Sequence, residues 1–192
     1  MLHNTFCRRL AALVLTLAVA VSAVLPVFAV YPMPIQTATE TEAVYLFNAD
    51  TGKTLLTQNA DQPRYVASLT KLMTALLLLE SGKDLNGEVT VPTDLTQEFK
   101  DIQNANGTTM GLRIGETVRR IDLLNALLIT SANDAASVIA WDVGGSLNAF
   151  IQQMNARAAE LGCTSATFTC AHGLYDYGNV ASAEDMAKIA AA

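Results

Sequence analysis

The sequence is poor in charge, in cysteine and in histidine. Only 16% of its 192 residues are charged, with Lys+Arg 12 against Asp+Glu 18, and no run of basic residues occurs. A net charge of -6 without a basic patch lacks the electrostatic footprint of a nucleic-acid binder, so no nucleic acid is expected as partner. Three cysteines and two histidines are too few for a disulfide-stapled scaffold or for a zinc site of the usual spacing. Eleven glycines and five prolines are too few for collagen-like or low-complexity chains. What the sequence does have is apolar residues, 51% of the total, enough to bury a core in one domain or in a large part of a bigger one.

Part of that apolar content reads as an address. Arg8 and Arg9, the stretch Leu10 to Val24, then Pro26 and the ending Val27-Phe28-Ala29 give residues 1–29 the charged, apolar and cleavage-site order of a secretory signal. The stretch is also close to the length of an uncleaved anchor, and on either reading the domain is expected outside the cytoplasm. Cleavage removes two arginines and no acid, so the charge would move from -6 to -8. Residues 30–41 read as a polar, proline-bearing linker and 42–192 as the domain. Cys7 leaves with the signal. Cys163 and Cys170 stay, seven positions apart, either bridged or as two free thiols.

Within the domain, Ala43 to Phe47 and Thr54 to Thr57 flank an Asp/Gly turn and predict a hairpin. Gly52-Lys53-Thr54 resembles the end of a phosphate loop but fails, because Phe47 stands where that motif needs its first glycine. Ser68 to Glu80 is apolar nearly all round and predicts a helix buried in the middle of the fold. Residues 85–118 read as irregular with short strands such as Glu88 to Val91. Helices are expected from Arg120 to Thr130, from Asn133 to Val143, from Leu147 to Leu161 behind a Ser146 cap, and from Ser182 in capping-box style. That last helix reaches residue 192 without a stop signal, and the hairpin lacks strong strands to pair with. The expectation is therefore a domain whose final strands are missing from this sequence, with an aggregation-prone open edge. Asp94, Glu98, Asp101, Glu116 and Asp122 show no pairing distance and read as a solvated face. His172 reads as structural.

Two segments carry candidate chemistry. In Ser68-Leu69-Thr70-Lys71 the serine and lysine are neighbours on one helical face, so the amine can reach the hydroxyl. Serine needs a base, and Lys71 can be one only when neutral; Leu72, Met73, Leu76 and Leu77 supply the desolvation that disfavours the ammonium. The bland alternative is a capping serine beside a solvated lysine. In Ser131-Ala132-Asn133 a hydroxyl and a carboxamide lie in a break between two apolar helices, able to relay a proton and to hold an amide, or simply to cap.

Together, Ser-x-x-Lys opening an apolar helix and Ser-x-Asn about 60 residues later resemble the penicillin-binding proteins and serine β-lactamases. The stretches Tyr65 to Leu76, Met110 to Glu116, Ser131 to Ala136 and Ala171 to Leu174 are similar to the serine-type D-alanyl-D-alanine carboxypeptidases over nearly all of residues 42–192. The resemblance implies a mixed α/β (α+β) fold of the β-lactamase and penicillin-binding transpeptidase type, a helical cluster beside an antiparallel sheet. It implies Ser68 as nucleophile, Lys71 as base, Ser131 as proton relay and Asn133 as substrate amide holder, with no metal or organic cofactor. Implied partners are a peptidoglycan stem peptide ending in D-Ala-D-Ala and β-lactam antibiotics. Implied locations are the cell wall or periplasm, with a peripheral membrane association open. The family's Lys-Thr-Gly strand does not follow Asn133, so the chain alone is expected to be inactive. A serine β-lactamase and an exported non-catalytic binding protein of the same fold are the rival readings.

Overall fold

Nine of the twelve residues Asn133–Val143 and Gly144 that make up one helix are drawn from Ala, Val, Ile, Trp, Ser and Gly, and this helix becomes the centre of the molecule. The computed structural model describes residues 41–174 and 176–192, so the expected signal at 1–29 and the linker up to residue 40 lie outside the described residues. Strands β1 (Val44–Phe47) and β2 (Thr54–Gln58) form the expected antiparallel hairpin. Two shorter antiparallel ladders form separate two-stranded sheets: β3 (Arg64–Tyr65) with β6 (Val180–Ala181), and β4 (Glu88–Thr90) with β5 (Thr117–Arg119).

The helices are α1 (Thr70–Glu80), α2 (Thr96–Asn104), α3 (Arg120–Ile129), α4 (Asn133–Gly144), α5 (Leu147–Glu160) and α6 (Ala183–Ala191). Every residue from Asn133 to Ala140 of α4 is buried, because small side chains let α3 and α5 approach from either side. Gly144 shows how close: a Cβ there would overlap the backbone of Phe150. Helix α4 ends where Gly145 takes a left-handed φ of 74°, the conformation that favours glycine at such stops. Ser146 caps α5 by accepting the Ala149 N–H at 3.1 Å. Ser182 and Asp185 close a full capping box on α6. Asp185 also accepts the Thr164 and Ser165 N–H groups, each at 3.0 Å, which pins the turn after α5 to the start of α6.

Three expectations need correction. Helix α1 is not buried on all sides: Leu69, just before it, is 53% exposed and Leu79 is 55% exposed, and the central position belongs to α4. The segment expected to be irregular contains α2, which carries only Phe99 and Ile102 as large apolar residues and so gives a weak hydrophobic signal. Glu98 is not solvated, since it faces inward from α2 to His172 and Ser137. Cys163 and Cys170 are both free thiols. Among the described residues no helix is long and apolar enough to cross a membrane.

Candidate active site

The site begins at the approach to α1. Ala67 has a φ of 44°, and Ala67–Leu69 make a single 3-10 turn before the α-helix starts at Thr70. A non-glycine residue in the left-handed region costs about 1–2 kcal/mol, so the surroundings must hold it there. Gly173 does so. Its own φ is 78°, and a Cβ on it would overlap the Ala67 carbonyl, so the 170–174 segment seats directly on the bend. Ser68 is thereby exposed on the 3-10 turn. It does not cap α1 as one expectation had it, because α1 carries no side-chain cap at its N-terminus.

Lys71, one residue into α1, is 3% exposed. Its Nζ lies 3.2 Å from Ser68 Oγ, 2.8 Å from Asn133 Oδ1 and 2.6 Å from the carbonyl oxygen of His172. Burial lowers its pKa from 10.5 to about 8, against a smaller upward pull from Cys170. Three partners suit either protonation state. An ammonium donates to all three, whereas a neutral amine donates its two hydrogens to Asn133 and His172 and turns its lone pair to the Ser68 hydroxyl.

Ser131 stands in the break between α3 and α4 with a left-handed φ of 58°. The bend aims its hydroxyl back across the site, where Oγ lies 3.0 Å from Ser68 Oγ. Asn133, at the first turn of α4, is 4% exposed, and its carboxamide is held at both ends. Oδ1 receives Lys71 Nζ, while Nδ2 donates to the Thr108 carbonyl at 2.9 Å. The four residues singled out from the sequence, Ser68, Lys71, Ser131 and Asn133, therefore converge on one hydrogen-bonded chain. Ser68, Lys71 and Ser131 border an open cleft of about 400 Å³ shared with Leu72 and Leu128, while Asn133 lies behind them.

Several supporting residues were not singled out. Asp134, 2% exposed, accepts the Met110 N–H with one oxygen and the Gly111 and Leu112 N–H groups with the other, all at 3.0 Å. It thus ties the Met110–Leu112 stretch to the helix that carries Asn133. Thr74 Oγ1 donates to the Ala171 carbonyl at 2.6 Å, and Asn179 Nδ2 donates to Thr70 Oγ1 at 2.8 Å. With Lys71, these bonds stitch α1 to the segment around His172. The His172 ring lies between Glu98 and the Leu174 N–H, and its carbonyl is part of the lysine pocket. The sequence signal available for Thr70 and Thr74 was their position beside Lys71 in an otherwise apolar helix. Among the described residues no group of three or more His, Cys, Asp or Glu side chains could hold a metal ion.

Comparison with known proteins places the chain in a family. The family model described as D-alanyl-D-alanine carboxypeptidase matches residues 31–192. The chain belongs to this family. The D-alanyl-D-alanine carboxypeptidase DacF of Bacillus subtilis is 33% identical over 153 residues, covering 80% of this chain and 39% of the relative. A D-alanyl-D-alanine endopeptidase of Pseudomonas aeruginosa is 33% identical over 175 residues, covering 91% of this chain and 54% of the relative. The chain thus spans about half or less of the length of these curated relatives. Among solved structures, a Streptomyces DD-transpeptidase superposes with a TM-score of 0.70 at 31% identity, over 77% of this chain and 58% of that one. Penicillin binding protein 5 from Haemophilus influenzae gives 0.64 at 32% identity, over 73% of this chain and 41% of that one. The fold is the penicillin-binding, transpeptidase-type fold anticipated from the two motifs, covered in part by this chain.

Proposed function

We propose that the chain carries the acylation machinery of a serine D-alanyl-D-alanine carboxypeptidase acting outside the cytoplasm on peptidoglycan stem peptides that end in D-Ala-D-Ala. The observation that carries the reading is the buried Lys71 amine, 3.2 Å from the Ser68 hydroxyl, with its other two contacts occupied by oxygen acceptors. With a pKa brought down to about 8, a useful fraction of Lys71 is neutral near pH 7. Its lone pair takes the Ser68 proton as Ser68 Oγ bonds to the carbonyl carbon between the two D-alanines. The tetrahedral oxyanion collapses, the C–N bond breaks, and the departing D-alanine amine receives a proton. Ser131 Oγ, 3.0 Å from Ser68 Oγ, is placed to hand that proton over. Water then attacks the ester, and Lys71 again serves as base, which restores Ser68.

Asn133 has a double part in this reading. Oδ1 holds the Lys71 amine in place, and the family resemblance gives the same carboxamide a contact with the substrate amide, for which one of its two present partners, Lys71 or the Thr108 carbonyl, would have to yield. β-Lactam antibiotics, as cyclic amides resembling the D-Ala-D-Ala end, would acylate Ser68 by the same first step.

Intact-mass measurement after prolonged incubation with a penicillin tests the proposal. The expected result is one acyl adduct, mapped to Ser68, that grows with time and is absent from Ser68→Ala. Lys71→Ala should form it at least about 10²-fold more slowly, the size of a lost general base. An adduct that persists in Ser68→Ala, or one that forms equally fast without the lysine, overturns the assignment.

A further inference from the structure

On the far side of the His172 segment, a cavity of about 380 Å³ has no part in the proposed chemistry. It is bordered by Glu98 and Asp101 of α2, Leu147 and Ile151 of α5, and Cys170 and His172. Cys170 is a free, half-buried thiol on this cavity wall. Its sulfur accepts the Gly173 N–H at 3.2 Å, a donor aimed where a thiolate charge would sit. His172 adjoins it, and the His172 Nε2 lies 3.0 Å from Glu98 Oε1, which also accepts the Ser137 hydroxyl at 2.9 Å. His172 Nδ1 accepts the Leu174 N–H at 3.0 Å, so the thiol and the His172–Glu98 pair stand next to one another beside a space large enough for a small molecule. They are not arranged to hold a metal ion.

We propose that Cys170 is a modification site for low-molecular-mass disulfides of neutral or cationic character, which enter through the cavity beside Glu98 and Asp101. The sulfur of Cys170 attacks one sulfur of the incoming disulfide. A new S–S bond forms, the old one breaks, and the departing half leaves as a thiol carrying the proton that Cys170 gives up. The preference for neutral or cationic reagents follows from the two carboxylates on the wall and from the protein's net charge of -6.

Cys163 provides an internal reference. It too is free and half-buried, but its thiol donates to the Asp185 carbonyl at 3.6 Å, and burial followed by the nearby Asp185 raises its pKa. Burial also opposes ionisation of Cys170, yet contact with His172 and the Gly173 N–H outweighs it and lowers the pKa. Cys163 and Cys170 are therefore driven in opposite directions.

The test treats the folded full chain with cystamine, quenches by alkylation, and maps each cysteine by peptide mass at a series of times. Cys170 should form the mixed disulfide at least about tenfold faster than Cys163, with the difference lost in urea. An anionic aromatic disulfide should react with Cys170 more slowly than cystamine does. Glu98→Gln should slow the cystamine reaction at Cys170 several-fold and leave Cys163 unchanged. Equal rates at the two cysteines in folded protein, or no adduct at Cys170 where urea-unfolded protein gives one, overturn the proposal. None of these readouts needs Ser68 to be acylated, so the outcome is separable from that of the carboxypeptidase reading.

Discussion

The two sides of α1 differ in an unusual way: polar residues are buried among Met73, Leu77 and Leu78 on one side, while leucines are left partly or largely exposed on the other. One side buries Thr70, Lys71 and Thr74, with exposures of 0%, 3% and 0%, while the opposite side leaves Leu69 and Leu79 more than half exposed. Leu72 and Leu76 lie between those two leucines on the same side and are only partly covered. Transfer free energy alone would put the leucines inside and the lysine outside. The polar side is tolerated because every buried group on it has a partner: Asn179 for Thr70, three oxygens for Lys71, and the Ala171 carbonyl for Thr74. Burial on that side lowers the Lys71 pKa to about 8, at the expense of stability.

The comparison can be broken most severely at Gly173. Gly173→Ala should cost about 3 kcal/mol or more, from the left-handed φ and the overlap with Ala67, and should also disturb Ser68; thermal unfolding combined with penicillin labelling reads both effects. Next comes the pH dependence of stability. The pKa of Lys71 is about 8 in the folded chain and 10.5 as an ordinary lysine, so between those values the unfolded state binds more protons than the native one. Stability should therefore rise with pH across that window by about 3 kcal/mol relative to Lys71→Met, and the burial penalty should be fully present below pH 8. A flat difference between the two proteins across the window would mean that the amine is solvated. Thr74→Val leaves the Ala171 carbonyl without its donor and should cost about 1–3 kcal/mol in urea denaturation. The smallest effect belongs to the other side: Leu79→Gln should change stability by no more than about 0.5 kcal/mol while raising solubility.

Much of the architecture was legible because it was written in local signals. Ser146 and Ser182 marked helix starts by their own side-chain chemistry. Helix α2 was missed because its apolar face consists of two residues, and only the tertiary partners of Glu98, Phe99 and Ile102 make it a helix worth forming. In the site, Ser68 and Lys71 were readable as a pair three positions apart. Their meeting with Ser131 and Asn133 spans more than 60 residues and was reached through resemblance to a family. The parts played by Asp134 and the His172 carbonyl were not legible. Backbone atoms leave no trace in a sequence, and a carboxylate that receives three N–H groups looks the same in one-letter code as one in water.

The clamped carboxamide of Asn133 has one more consequence. Its two ends differ by a single NH₂ against an oxygen, and each end faces a group of matching polarity: a donor amine on one side and a carbonyl on the other. Asn133→Asp would keep the volume and shape, yet it would set a carboxylate against the Thr108 carbonyl and beside the amine. The lysine would then keep its proton well above neutral pH, and on the proposed mechanism it could no longer take one from Ser68.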